Sequence, residues 1–175
     1  MLNPKKLEKI ADMAAVNIAK NRVPFTLSAK QMMREDYILS ELDWKSISYG
    51  DKELRKIPKN KRGVYAFSIC QNSDILPPHG YVLYVGIVGK RSDRTLRDRY
   101  MDYLNEDKVK KRPRIKRMIG TWHRVLRFHF APVREDLSSA DLEQLERQIN
   151  TALAPPFSEQ DLEAEVKEER KAFRV

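Results

Sequence analysis

The chain has 175 residues, with 34 Lys or Arg against 25 Asp or Glu and a formal net charge of +9. A hydrophobic content of 41% beside 34% charged residues predicts one compact folded domain and excludes extensive disorder. No apolar run approaches the roughly 20 residues that span a bilayer, and the lone Cys70 excludes an internal disulfide and a cysteine-built zinc site.

The opening Met1-Leu2-Asn3-Pro4-Lys5-Lys6 has neither the apolar core nor the cleavage site of a signal peptide, so an intracellular, cytoplasmic protein without a membrane partner is expected. Asn3-Pro4 reads as a helix cap followed by proline at the first helical position. Leu7, Ile10, Ala11, Ala14 and Ile18 then recur at helical spacing and predict an amphipathic helix over 4–20. A second helix is expected from Ser28, with Met32, Met33, Ile38, Leu39 and Leu42 as its apolar positions. Residues 52–62 read as a charged linker broken by Pro58. The segment 1–56 is thus an N-terminal helical extension without a legible chemical motif.

A β-rich stretch follows. Gly63-Val64-Tyr65-Ala66-Phe67-Ser68-Ile69 and Tyr81-Val82-Leu83-Tyr84-Val85-Gly86 are strand candidates, joined through turn formers at 72–74 and 77–80 as an antiparallel pair. Ser92 can cap a helix running to Leu104 with Leu96, Tyr100 and Leu104 buried. A basic segment occupies 108–117. Residues 125–133 predict a third strand, with Leu126, Phe128 and Phe130 on one face and Val125, Arg127, His129 and Ala131 on the other. Ser138 or Ser139 can cap a helix seamed by Leu142, Leu145, Ile149 and Leu153 and ended by Pro155-Pro156. A last acidic helix over 159–175, capped by Ser158 and seamed by Leu162, Val166 and Phe173, completes the chain. The fold class expected is α/β of the α+β type: a small, mainly antiparallel three-stranded sheet flanked by helices.

The charge is uneven. From Lys90 to Arg117 there are twelve basic residues against five acidic, and from Glu135 to the end eleven acidic against five basic. A basic centre on a soluble protein points to a polyanion, and nucleic acid is the commonest. Lys90, Lys110, Lys111, Arg112 and Arg114 are the candidate phosphate contacts. His79, His123 and His129 lack metal-ligand spacing and are read as non-catalytic.

Two tripeptides and two helices carry a more specific pattern. Gly63-Val64-Tyr65 and Tyr84-Val85-Gly86 resemble the paired signatures of the GIY-YIG nuclease family. Arg99 with Tyr103 one turn later resembles that family's helical arginine and its His or Tyr. Glu146 with Pro155 nine residues on matches the family's glutamate and proline, and Pro58 matches a proline of its lead-in. The resemblance covers roughly 57–158. It departs from the family at Ser158, where asparagine is usual, and in the longer connection from Tyr65 to Tyr84.

The residue types suit phosphodiester hydrolysis on physical grounds, since that reaction needs a base for water, a cation for phosphate charge and a metal against the leaving oxygen. Arg99 and Tyr103, four apart on a helix, project together, and a guanidinium matches phosphate geometry. Glu146 falls about 60° from the centre of its helix's apolar seam, at the edge of the core, whereas Glu143 falls farther toward solvent. The resemblance implies a metal-dependent DNA endonuclease. In it Tyr65 acts as general base, Tyr84 and Tyr103 hydrogen-bond phosphate or water, Arg99 stabilises the transition-state charge, and Glu146 holds one Mg²⁺ or Mn²⁺. An ordinary tyrosine ionises near pH 10, so that base needs Arg99 and a cation to favour its phenolate. Two other readings stand beside it: a DNA-binding module of the same fold without turnover, and an RNA-binding protein using aromatic stacking. One active site cuts one strand, so a double-strand break requires two events or a homodimer.

Overall fold

The computed structural model describes residues 4–25, 29–34, 42–71, 79–90, 92–158 and 168. The expected acidic helix over 159–175, with its seam, lies outside the described residues apart from residue 168, as does most of the second expected helix. Of the latter the structure shows a short α2, Ala29–Met32. Helix α1, Pro4–Asn21, has the predicted bounds within one residue. Among its described side chains, however, Ile10, Met13, Val16 and Ile18 are all exposed.

Among the described residues the sheet has four strands, one more than the three expected. These are β1 (Lys45–Ser48), β2 (Gly63–Gln71), β3 (His79–Val88) and β4 (Leu126–Pro132), in the order β1-β4-β2-β3 with every pairing antiparallel. The additional strand, Lys-Ser-Ile-Ser, has only one buried residue, Ile47, and too short an alternation to declare itself. It is held by pairing with β4, Ile47 lying opposite Phe128. The charged stretch 52–62 is likewise more than a linker, since it forms a 3₁₀ turn at Leu54–Lys56 and buries Ile57 completely.

Alternation along β2 divides the core into two layers. Tyr65 and Phe67, with Leu126, Phe128 and Phe130 of β4 and Leu83 of β3, face α3 (Leu96–Leu104), α5 (Pro113–Trp122) and Ile57. Val64, Ala66 and Val85 face α6 (Ser139–Leu153) and its Leu142, Leu145 and Ile149. Helix α3 begins at Thr95, three residues later than the Ser92 start, because Thr95 and Asp98 form a reciprocal capping box. Ser138 caps α6, and Ala154 in the left-handed conformation ends it before Pro155-Pro156. The basic segment is folded into α4 (Glu106–Lys110) and α5, with Pro113 at the first turn of α5. Among the described residues no helix is long and apolar enough to cross a membrane.

Candidate active site

The β2–β3 hairpin sets the register of the two signatures. Its strands are nine and ten residues long, and an irregularity at Phe67/Ser68 absorbs one residue. Tyr65 therefore lies opposite Gly86, and Phe67 opposite Tyr84. Gly86 is required by packing, since a Cβ there would stand 2.5 Å from the Tyr65 hydroxyl and 3.2 Å from the Tyr84 ring. The final residue of the second signature thus leaves the space across which the tyrosine of the first one lies.

Helix α3 brings its pair to the same place. Arg99 Nε donates to the Tyr65 hydroxyl at 2.9 Å, and the Tyr65 and Tyr103 hydroxyls are 2.8 Å apart. Tyr84 adjoins Tyr65 with ring centroids 6.1 Å apart. The helix is fixed from behind, where the Tyr49 hydroxyl donates to the Tyr103 carbonyl at 2.6 Å and Tyr100 exchanges hydrogen bonds with the Gly50 backbone at 2.8 Å. Tyr65, Tyr84, Arg99 and Tyr103 thus meet in one cluster.

Arg112 is placed differently from the expectation. Its sequence neighbours group it with surface phosphate contacts, yet it is half-buried at the start of α5 with its guanidinium 5.0 Å from the Tyr103 ring centroid. The Arg99 guanidinium lies 5.5 Å from the same ring. Two cations therefore meet at one phenol. Pro113 marks the helix start in the sequence, but no local signal separates Arg112 from its basic neighbours, because the direction of its side chain is set by packing. Lys110 and Arg114 remain exposed on α4 and α5, and so does Lys111 between them. Lys110 pairs with Glu106 at 2.6 Å. Lys90 is drawn to Glu143 of α6 at 2.8 Å, each about one-third exposed, so its charge is already matched.

Burial governs the electrostatics. Tyr65 has no solvent exposure. That burial, with Tyr103 and Tyr84 beside it, pushes the phenol well above its usual value although Arg99 pulls it down. Tyr84 is pushed up to about 12, again chiefly by burial. The expectation that Arg99 favours the Tyr65 phenolate is thus met in direction but outweighed, and Tyr65 is a neutral phenol at pH 7. For Arg99 and Arg112 burial disfavours the charge, but the surrounding phenol oxygens more than compensate, so both stay protonated.

Glu146 approaches from the other layer. Strand β3 is a sheet edge, and its outward backbone groups are met by α6 and the turn after it. The Ile87 N–H donates to Glu146 Oε1 at 3.1 Å, and the Phe157 N–H donates to the Leu83 carbonyl at 2.9 Å. Ser158 is buried, its Oγ accepting from the Val85 N–H at 2.9 Å and donating to the Val85 carbonyl at 3.2 Å. Its side chain therefore braces the edge strand between Tyr84 and Gly86. Glu146 is partly buried, as its seam-edge position predicts, and is anchored one residue beyond the glycine over which Tyr65 lies. Four residues on, the buried Asn150 amide donates to the Glu146 carbonyl at 3.0 Å, and its Oδ1 has no hydrogen-bond partner among the described residues.

Among the described residues no group of three or more His, Cys, Asp or Glu could hold a metal. A hard cation here would have Glu146 as its protein oxygen, which is the sparse protein set that Mg²⁺ uses when substrate phosphate and water supply the rest. The histidines lie elsewhere. His129 is on the α6 side of the sheet, where its Nε2 is 2.6 Å from Ser68 Oγ beside a cavity of about 480 Å³, and burial lowers its pKa. His123 is exposed after α5 and His79 begins β3. Comparison of the chain with protein-family models, with curated proteins and with solved structures returns no match.

Proposed function

We propose that the chain is a metal-dependent DNA endonuclease of the GIY-YIG type. The observation that carries this reading is the buried phenol–guanidinium cluster, in which Arg99 donates to Tyr65 and Tyr65 meets Tyr103 at 2.8 Å, beside a strand edge holding Glu146. Two desolvated guanidiniums next to three phenols form a concentration of positive charge suited to a phosphodiester. Arg99 and Arg112 grip phosphate oxygens, and their charge counts most as the pentacovalent transition state gains charge. Tyr84 and Tyr103 orient the phosphate and the attacking water by hydrogen bonds. The fraction of Tyr65 that has first lost its hydroxyl proton to solvent takes the proton of that water and becomes a neutral phenol. Arg99 Nε, already hydrogen-bonded to the phenol oxygen, supports the ionised form. Glu146 would hold a divalent cation, Mg²⁺ or Mn²⁺, which would supply further positive charge for the phosphate and the leaving oxygen. Ser158, standing where the resemblance places asparagine, acts by holding β3.

A second reading, a DNA-binding module of the same fold without turnover, is favoured by one observation: Tyr65 is held well above its usual pKa. Incubation of supercoiled plasmid with the protein and Mg²⁺ or Mn²⁺ separates the two. The nuclease converts plasmid to nicked or linear form, and linear product at early times indicates a homodimer. Binding without conversion under any divalent cation refutes the enzyme. A cytoplasmic setting, with DNA as partner, accords with the reading.

A further inference from the structure

A second concavity has a volume of about 350 Å³, within the range of ligand pockets of roughly 300–1,000 Å³. Its rim carries three arginines, Arg22, Arg114 and Arg117, and its lining includes no acidic residue among those described. Its floor is apolar, made by Val23, Pro24, Pro113, Pro156 and Phe157. The rim is partly built: Arg117 donates to the Arg22 carbonyl at 3.1 Å, which ties α5 to the segment after α1. The floor is firm, since Phe157 is buried and packs edge-on against Trp122 with centroids 5.9 Å apart.

Two lining residues are neighbours in the chain of residues at the candidate active site. Pro113 follows Arg112, whose guanidinium lies over Tyr103. Phe157 precedes Ser158, which is bonded to Val85 between Tyr84 and Gly86. The pocket lining is therefore one residue along the chain from Arg112 on one side and from Ser158, which braces the strand carrying Tyr84, on the other.

Cations above an apolar floor fit a nucleotide with its base exposed, the planar base covering the floor and a phosphate reaching the rim. Intact duplex does not use such a surface, because its bases are stacked inside and only phosphates reach the rim. An acidic peptide uses the rim and leaves the floor empty.

We propose that this pocket takes one unpaired nucleotide of the DNA, so that the substrate is a duplex interrupted by an unpaired base beside the phosphate gripped by Arg99 and Arg112. The placement beside that phosphate rests on the nuclease reading; the preference for an unpaired base is measured without it. Anisotropy titrations in EDTA compare a dye-labelled duplex carrying one unpaired thymidine with its fully paired counterpart. The wild-type protein should bind the interrupted duplex on the order of tenfold more tightly, the scale of one base covering an apolar surface. Arg117→Gln combined with Arg22→Gln should bring the ratio of the two affinities close to one. Arg124→Gln, an equal loss of charge per site at an exposed position outside the pocket, should keep it. Equal affinity of the wild-type protein for both DNAs, or a preference that survives the double substitution, overturns the proposal. A preference that the double substitution abolishes, with no cleavage of either DNA by the wild-type protein in Mg²⁺ or Mn²⁺, overturns the nuclease reading instead and leaves the pocket standing.

Discussion

Two groups of cations on and around α3 differ in how their charge is met. On one side Arg94 and Lys108 converge on the buried Asp102, Lys108 at 2.5 Å, and form a salt-bridged node between α3 and α4. On the other side Arg99 and Arg112 converge on phenols, and the nearest carboxylate contact of Arg99 is Asp102 at 3.8 Å. A carboxylate neutralises cations and leaves a structural joint. Phenols desolvate and orient cations without neutralising them, because Tyr65 and Tyr84 stay protonated at neutral pH. The second group keeps its positive charge in a partly buried setting, where charge acts over a lower effective dielectric. That charge is left more open to an incoming anion than the charge held on Asp102.

The sharpest way to break this comparison is to remove the groups on the phenol side and measure single-turnover plasmid cleavage. Glu146→Ala should abolish metal-dependent cleavage while DNA affinity changes little, and full cutting by a folded Glu146→Ala protein would sink the assignment. Arg99→Ala should slow cleavage by about 10²–10³-fold, the scale of losing one transition-state donor, with a smaller effect on affinity.

Tyr65→Phe keeps the ring in the core and removes the hydroxyl, so it should fold normally and cut roughly 10²-fold more slowly. The pH profile has a definite sign. With the phenol pKa raised well above its usual value, its ionised fraction grows about tenfold per pH unit through the neutral and mildly alkaline range. Wild-type rate should climb without a plateau over that range, and the climb should vanish in Tyr65→Phe. A wild-type rate that is flat from neutral to alkaline pH would remove Tyr65 as the base.

Two substitutions test the packing that supports the comparison. Gly86→Ala places a methyl 2.5 Å from the Tyr65 hydroxyl, so thermal unfolding should show a loss of about 1–3 kcal/mol typical of overpacking, together with impaired cleavage. Asp102→Asn releases the neutralised pair and should cost less, about 1–2 kcal/mol, because Arg94 and Lys108 are themselves largely exposed. Burial raises the Asp102 pKa, but hydrogen bonds from Lys108 and Arg94 outweigh it and hold the carboxyl below its usual value. This contribution is therefore present above about pH 4 and lost as pH falls through the lowered pKa. A stability difference between wild type and Asp102→Asn that is undiminished on acidification from neutral pH to about pH 2, below the usual aspartate range, would contradict that account.

The smallest effect is expected for the exposed cations. Alanine at Lys110, Lys111 and Arg114 together should weaken binding to all DNA sequences and reduce the salt slope by about one unit for each phosphate no longer neutralised. Arg112→Ala should differ by lowering the cleavage rate as well. Identical behaviour of Arg112→Ala and the surface variant would return Arg112 to the surface group.

Much of this arrangement is readable in the chain because its signals are local. Alternation at 63–69 and 126–130 marks the strands and their buried faces, and the four-residue step from Arg99 to Tyr103 sets them on one side of a helix. The apolar seam at Leu142, Leu145 and Ile149 puts Glu146 at a core edge. Such patterns follow from backbone periods of 2.0 and 3.6 residues, which any segment carries by itself. Other features exist only through partners far along the chain. Strand β1 has one buried side chain and is a strand because β4 offers it a ladder. The pKa of Tyr65 is set by burial among groups from three separate elements, so no reading of its neighbours in sequence could give the direction. Arg112 lies in a run of basic residues that look alike, and only the packing of α5 turns it toward Tyr103 while Lys110 and Lys111 stay in water. Periodicity fixes which face a residue occupies; long-range packing decides what that face meets, and with it the charge state and the chemistry.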